Sequence, residues 1–128
     1  MATGLQSATL STYRNESDHL ALLDFKKRIS QDPLQIMSSW NTSIHFCSWV
    51  GVTCNHANKR VMILNLEAQK LLHGEIPPDV GITLPNLEVF AGGVNKFTGT
   101  IPLSLANASR LQVLDFATND LDLAKEKC

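Results

Sequence analysis

The residues of this chain that could do chemistry lie around two cysteines, Cys47 and Cys54. Imidazoles flank both thiols, since His45 stands two positions before the first cysteine and His56 two positions after the second. In a reducing compartment two thiolates and two imidazoles could bind zinc tetrahedrally, although this spacing is not that of a zinc finger or ribbon. In an oxidising compartment the two cysteines could instead form a disulfide. Cys128 has no partner, and we interpret it as a remnant of truncation rather than as the site of an intermolecular disulfide.

Three Asn-x-Ser triplets could each accept an N-linked glycan. They begin at Asn15, Asn41 and Asn107. Such triplets are modified only in proteins that enter the secretory pathway, so they mildly favour a secreted origin. The first 13 residues, however, contain neither the basic start nor the apolar centre of a signal peptide. The two observations disagree about the compartment in which the chain resides.

Composition and motifs argue against several classes of function. The sequence has no GxSxG, P-loop or HExxH motif, and His19 and His73 have no nucleophile beside them. With 11 basic and 12 acidic residues, the chain has no global field that would attract nucleic acid. No apolar run approaches the roughly 18 residues that span a bilayer. The sequence therefore predicts no enzyme activity, no cofactor, no metal centre, no nucleic-acid partner and no membrane span.

Two helices are predicted ahead of the cysteine segment. Residues 17–30 show the apolar spacing of a helix, and Ser17 or Asp18 could cap its start. The pair Asp32-Pro33 is typical of a cap followed by the first residue of a second, short helix. The apolar residues that share one face of the first helix are Leu22, Phe25 and Ile29.

Apolar residues then recur at a fixed interval. A shift of 24 residues places Leu87 on Leu111 and Asn95 on Asn119. This period is typical of a leucine-rich repeat, in which each copy forms one short strand and a looser return, and stacked copies form a parallel sheet. Asparagine suits the corner after the strand because its amide can satisfy backbone groups there. Apolar anchors of the predicted return are Ile76-Pro77 and Ile101-Pro102.

The repeats are irregular at two places. Leu64 and Phe90 are 26 residues apart, which we interpret as a seam between an early repeat and a later one. We still expect Leu64, Phe90 and Leu114 to lie on adjoining parallel strands. Gly92 occupies a position where the pattern has a large apolar residue, so a void is expected there. Marginal stability is predicted, because the last copy would expose the core residues Leu114, Phe116 and Leu121.

Together these patterns predict an α/β repeat fold: a short leucine-rich-repeat solenoid with parallel strands and an N-terminal helical cap. The expected organisation has a disordered segment at 1–14 and a cap at 15–60 that holds the cysteine pair. Residues 61–128 would form about two and a half repeats, truncated at the C-terminus. Residues 44–59, within the cap, are expected to be a loop.

The order of motifs resembles the start of the ectodomain of plant leucine-rich-repeat receptor-like kinases. The residues that carry the resemblance are Trp40-Asn41, the stretch from Cys47 to Cys54, and repeats of the form LxxLxLxxNxLxGxIP over about residues 15–123. The resemblance implies an extracellular or cell-surface location, a disulfide between the two cysteines, and binding of a peptide or protein ligand, with a co-receptor ectodomain as a second partner. The kinase and transmembrane parts of such receptors are absent from this sequence.

In that family, the strand residues that point away from the core form a concave ligand-binding face. Two other functions stay open: an enzyme inhibitor similar to polygalacturonase-inhibiting proteins, and a truncated fragment without function. The residues that the pattern assigns to the concave face are Asn65, Glu67, Val89, Ala91, Gly93, Val113, Asp115 and Thr118.

Overall fold

Two four-stranded sheets enclose an apolar core in the computed structural model, which describes residues 16–67 and 71–123. The expectations for residues 1–14, Asn15 and Cys128 lie outside the described residues. In chain order the elements are helix α1 (16–28), β1 (Ile29–Gln31), the 3-10 helices Ile36–Ser39 and Phe46–Ser48, β2 (Val52–Cys54), β3 (Val61–Asn65), β4 (His73–Glu75), α2 (Val80–Thr83), β5 (Val89–Ala91), β6 (Lys96–Ile101), the 3-10 helix Leu103–Asn107, β7 (Val113–Asp115) and β8 (Asp120–Leu123).

The concave sheet has the strand order β2-β3-β5-β7. Strands β3, β5 and β7 are parallel, and Leu64 pairs with Phe90, which in turn pairs with Leu114. The expected alignment of these three residues is confirmed, so the 26-residue interval of the first copy does not disturb the strand register. Strand β2 pairs with β3 in the antiparallel direction. The prediction that residues 44–59 are entirely loop was therefore wrong, because this strand extends the sheet into the cap.

Burial along the three parallel strands depends on whether a further coil covers them. Leu64 and Phe90 are both 0% exposed, whereas Leu114 is 41% exposed. Each apolar strand residue needs neighbours on both sides of the stack, and β7 has a strand on one side only among the described residues. The expected exposure is confirmed for Leu114 and wrong for Phe116, which is buried.

Phe116 is buried because it fills the space beside Gly92. A methyl group on Gly92 would lie 2.5 Å from the Phe116 ring. That ring packs edge-on against Phe90 and Phe97, with centroid distances of 4.7 and 6.1 Å. The predicted void at Gly92 was wrong, since an aromatic ring from the next coil occupies it.

The return segments form a second, convex sheet that the sequence patterns did not predict. Its order is β1-β4-β6-β8, and the last three strands are parallel. Strand β1 pairs antiparallel with β4 and brings Ile29 opposite Gly74. A side chain at Gly74 would collide with the carbonyl of Arg28, so the pairing needs glycine there. The predicted helix at 17–30 therefore ends at residue 28, and Ile29 lies in a strand rather than on the helix face.

Two tryptophans form the centre of the cap. Trp40 and Trp49 are buried and stack with their ring centroids 5.3 Å apart. Both indole N–H groups donate to backbone carbonyls, Trp40 to Val50 at 2.9 Å and Trp49 to Ile44 at 2.9 Å. The predicted second helix is present as a single short 3-10 turn whose first amides donate to the carboxylate of Asp32.

A buried carboxylate joins helix α1 to the first repeat strand. Asp18 is 1% exposed and accepts hydrogen bonds from Arg60 Nε at 3.0 Å and Nη2 at 2.9 Å, and from the Val61 amide at 2.8 Å. These hydrogen bonds raise the pKa of Arg60 above its ordinary value, against the opposing effect of burial. The proposed capping role of Ser17 or Asp18 was wrong, because the helix is already formed at residue 16.

Candidate functional site

The concave face is built from two rows of register partners on β3, β5 and β7. Asn65 lies beside Ala91, which lies beside Asp115. In the second row, Val89 lies between Ile63 and Val113. Because residues two apart on a strand share a face, both rows belong to one surface. The structure thus places five of the eight predicted surface residues in adjoining positions.

Exposure is uneven across this surface. Val113 is 48% exposed, Val89 is half-buried, and Asn65 is exposed. Ala91 and Gly93 are buried, although the pattern assigned both to the surface. The middle of the face is therefore made of two small residues that expose little surface.

The polar residues of the face also stabilise the turns that follow the strands. Asn65 Oδ1 accepts a hydrogen bond from the Glu67 amide at 3.0 Å, and Asp115 Oδ1 accepts one from the Ala117 amide at the same distance. Glu67 and Asp115 are the only two formally charged residues among the eight, and both are acidic. The charged groups that the pattern assigned to this face are therefore both carboxylates, near the carboxyl ends of the strands.

Two asparagines hold the corner beyond these strands. Buried Asn95 donates to the Leu66 carbonyl at 2.7 Å and accepts from the Leu72 amide at 3.4 Å. Asn119 repeats the arrangement one coil later, donating to the Gly92 carbonyl at 2.9 Å and accepting from the Phe97 amide at 2.9 Å. Each asparagine also donates within its own turn, Asn95 to the Gly92 carbonyl and Asn119 to the Phe116 carbonyl, which is the role that the sequence predicted.

The residues just before these asparagines have an unusual backbone. Val94 has φ of 57° and Thr118 has φ of 60°, which β-branched residues rarely adopt. Both side chains are exposed at the edge of the concave face. Thr118 is one of the eight predicted surface residues. It follows strand β7, so it lies at the rim of the face rather than on the strand.

The cysteine pair forms a disulfide. Cys47 and Cys54 are bonded, with Cα atoms 5.5 Å apart, and the bond joins the 3-10 helix Phe46–Ser48 to strand β2. The zinc interpretation was wrong, because sulfur atoms bonded to each other are not thiolate ligands. The described part of the chain contains no group of three or more residues that could hold a metal ion. His45 instead accepts the Cys47 amide hydrogen at Nδ1, at 3.1 Å.

Two of the three glycosylation triplets lie in the described residues. Asn41 Nδ2 donates to the Ser38 carbonyl at 2.9 Å, and Asn41 Oδ1 accepts from Ser43. Asn107 is exposed at the end of the 3-10 helix Leu103–Asn107. An asparagine amide has two hydrogens, so the hydrogen bond of Asn41 leaves one of them for replacement by a sugar.

Two sheets whose repeat strands are parallel and in register, repeated asparagine corners and a disulfide-linked helical cap define a leucine-rich-repeat protein. Residues 15–55 match the family described as leucine rich repeat N-terminal domain. Within the described ranges, no helix is long and apolar enough to cross a bilayer.

Similar proteins place this architecture in one plant family. The Arabidopsis thaliana LRR receptor-like serine/threonine-protein kinase EFR is 41% identical over 101 residues, which cover 78% of this chain and 10% of EFR. The Arabidopsis ectodomain of GASSHO1/SCHENGEN3, solved in complex with CASPARIAN STRIP INTEGRITY FACTOR 2, matches with a TM-score of 0.74 and 31% identity over 81% of this chain and 12% of that chain. The structure described as PEPR1-AtPEP1 matches with a TM-score of 0.64 and 32% identity over 77% of this chain and 15% of that chain.

The chain belongs to the plant leucine-rich-repeat receptor-like kinases and corresponds to the N-terminal part of their ectodomain. It spans about a tenth of the length of the curated relatives that it matches. The matched regions lie in the repeat ectodomain rather than in the kinase domain.

Proposed function

We propose that this chain is an extracellular recognition module that binds a peptide or protein segment on its concave face. The observation that carries the proposal is the register of β3, β5 and β7, which aligns two rows of side chains over a buried core. Related ectodomains have been solved with such ligands: HAESA, at 26% identity, is in complex with the peptide hormone IDA and the co-receptor SERK1. A co-receptor ectodomain is accordingly proposed as a second partner.

The concave face suits an extended ligand. Val89 and Val113 offer an apolar row, and the small residues Ala91 and Gly93 let a ligand backbone approach the sheet closely. Asp115, near the carboxyl end of the strands, would attract a positively charged group. Because hydrogen-bonded strands hold these residues in place, little conformational entropy is lost when the ligand binds.

Recognition rather than catalysis is the proposed activity, with no cofactor. The functional groups of the face are two carboxylates, an amide and a hydroxyl, which suit hydrogen bonding and charge recognition of a ligand. An extracellular location is proposed on the disulfide, which persists in oxidising compartments, and on the glycosylation triplets.

Selection from a peptide library displayed on phage, followed by affinity measurement, tests this proposal. The chain is prepared with its Cys47–Cys54 disulfide, and bound peptides are measured against two double variants. Val89→Glu with Val113→Glu places charge on the concave face and should lower affinity by about tenfold or more. Thr98→Glu with Thr100→Glu, at exposed positions of the convex sheet, is the matched control and should leave affinity unchanged.

Equal losses from both double variants, or no loss from the concave one, would contradict binding at this face. Circular dichroism and the unfolding midpoint of each variant show that the comparison is between folded proteins. Failure of the library to yield any saturable binder would count against a recognition function for the chain.

A further inference from the structure

A groove runs along the return side of the solenoid, away from the concave face. It lies between helix α2 and the 3-10 helix Leu103–Asn107, and its volume is about 740 Å³. Ile82 and Leu103 line it and are 67% and 56% exposed, which is high for large apolar side chains. The groove therefore presents apolar surface that no described residue covers.

The groove is a rigid feature of the stacked coils. The Gly81 amide donates to Ser104 Oγ at 3.0 Å, and a side chain on Gly81 would collide with the Ser104 carbonyl. The two helices thus approach each other as closely as backbone permits, and their outer residues form the walls. A groove whose walls are already formed binds an occupant without the free-energy cost of first opening.

Polar groups line the same groove beside the apolar ones. Arg28, Glu75 and Thr100 all contribute to its lining. A wholly apolar occupant would bury these polar groups without hydrogen-bond partners, which is unfavourable. An occupant with both hydroxyl groups and an apolar surface would suit both kinds of lining. A sugar ring such as N-acetylglucosamine has this composition, since its axial C–H groups form apolar faces and its hydroxyls lie around the rim.

Asn107 itself lines the groove and begins the triplet Asn107-Ala108-Ser109. Its side chain is exposed and makes no hydrogen bond to any of the described residues. A sugar attached there would be tethered at the mouth of the groove. Tethering turns binding into an intramolecular step with a high effective concentration, so a weak contact is enough for occupancy.

We propose that Asn107 carries an N-linked glycan and that the first sugars of this glycan lie in the groove, where they cover Ile82 and Leu103. The proposal rests on the extracellular location proposed above, because the donor is found in the secretory pathway. In the transfer, Asn107 Nδ2 bonds to C1 of the first N-acetylglucosamine of a lipid-pyrophosphate oligosaccharide. The bond from C1 to the pyrophosphate oxygen breaks, Nδ2 loses one proton, and the lipid pyrophosphate leaves.

Enzymatic release of the glycan in the folded state tests the proposal, with Asn41 as the internal comparator. The full chain is expressed behind a secretory leader in eukaryotic cells, treated with a glycan-releasing amidase, and followed by glycopeptide mass spectrometry. In the folded protein we expect release at Asn107 to be about tenfold slower than at Asn41, because a sugar held in the groove is protected. In denatured protein the two rates should be equal.

Ile82→Ser combined with Leu103→Ser removes the apolar walls, and both positions are exposed enough for the fold to tolerate the change. This variant should raise the release rate at Asn107 severalfold and leave Asn41 unchanged. Leu20→Ser, at an equally exposed apolar position on helix α1, is the matched control and should alter neither rate.

An unmodified Asn107 beside a modified Asn41 would overturn the proposal, as would equal release rates in the folded protein or no response to the double variant. The concave-face proposal fails by a different observation, the peptide affinity of the Val89 and Val113 variants. Each proposal can therefore fail while the other stands.

Discussion

At the scale of single residues, Asp18 links the cap to the first repeat strand. Its carboxylate is buried and accepts three hydrogen bonds from Arg60 and Val61. Burying a charge is unfavourable unless it is paired, so the cost of losing either partner is large. The hydrogen bonds to Asp18 raise the pKa of Arg60 further above the range in which proteins are studied, so the guanidinium stays charged as the partner of Asp18.

Asp18→Asn should lower the free energy of unfolding by about 3 kcal/mol, because it removes the charge that pairs with Arg60 and one acceptor of its donors. Urea denaturation followed by circular dichroism measures the change. Asp24→Asn is the matched control: Asp24 pairs with Arg28 on the exposed helix surface at 3.3 Å, and its loss should cost about 0.5 kcal/mol or less. Equal effects of the two substitutions would contradict the role assigned to Asp18.

Asp18 stabilises the protein, whereas Val94 has a strained backbone that destabilises it. Its φ of 57° is unfavourable for a β-branched side chain, whereas asparagine adopts this region more readily. Val94→Asn should therefore raise the free energy of unfolding by about 1 kcal/mol. Val113→Asn, at an exposed strand position, should not stabilise the protein. A loss of stability from Val94→Asn in the same urea titration would contradict this prediction. It would show that the contacts of the valine side chain stabilise the protein by more than the backbone strain destabilises it.

Residue patterns predicted the chemistry of local contacts better than that of distant ones. The roles of Asn95 and Asn119 in their own turns followed from the repeat, whereas their hydrogen bonds to the preceding coil did not. The partner of Asp18 stands 42 residues away, and an aspartate before an apolar run has the same local pattern as a helix cap. Sequence spacing alone does not distinguish these two uses of the residue.

At the scale of elements, Gly92 and Phe116 form a close packing contact between two neighbouring coils. A methyl group at Gly92 would lie 2.5 Å from the Phe116 ring, which is itself held by two other phenylalanines. Gly92→Ala should destabilise the protein by about 2 kcal/mol through overpacking. Phe116→Leu should cost a similar amount by leaving space.

The double variant should be more stable than the sum of the two single losses predicts, because leucine makes room for the added methyl group. Urea denaturation of all four proteins completes this double-mutant cycle. Strict additivity would contradict the contact between the two coils.

Within the cap, the disulfide holds the 3-10 helix Phe46–Ser48 against strand β2. Replacing Cys47 and Cys54 together by alanine should lower the free energy of unfolding by about 2 kcal/mol, since the bond closes a short loop in the unfolded chain. Cys128→Ala, which removes the remaining thiol, should have no comparable effect. If the unfolding midpoint of the double alanine variant equals that of the parent protein under non-reducing conditions, the structural role of the disulfide is contradicted.

Elements whose residues bury one face were easier to predict than those fixed by backbone pairing. The apolar residues of β3 and β7 and the apolar spacing of the first helix were both recognisable in the sequence. The convex sheet was missed because β4 is His73-Gly74-Glu75, which carries no apolar alternation and is held by hydrogen bonds to neighbouring strands. Backbone pairing of this kind leaves little trace in side-chain patterns.

At the scale of the whole molecule, stability and function depend on the same stack. Each coil buries the apolar side chains of the one before it, and the strand register that results also aligns the concave face. The composition of this face could be predicted from alternation, which gave the row Asn65, Ala91 and Asp115. The burial of Ala91 and Gly93 could not, because it depends on how closely adjacent coils approach.

A solution NMR structure of the oxidised chain tests the central claim most directly, through nuclear Overhauser contacts between backbone protons of neighbouring strands. The account predicts contacts that join Ile63, Val89 and Val113 in one row and Asn65, Ala91 and Asp115 in the other. A register displaced by one residue would turn the apolar residues of these strands outward, and strands that are not adjacent would remove the concave face altogether. Either result would contradict the account.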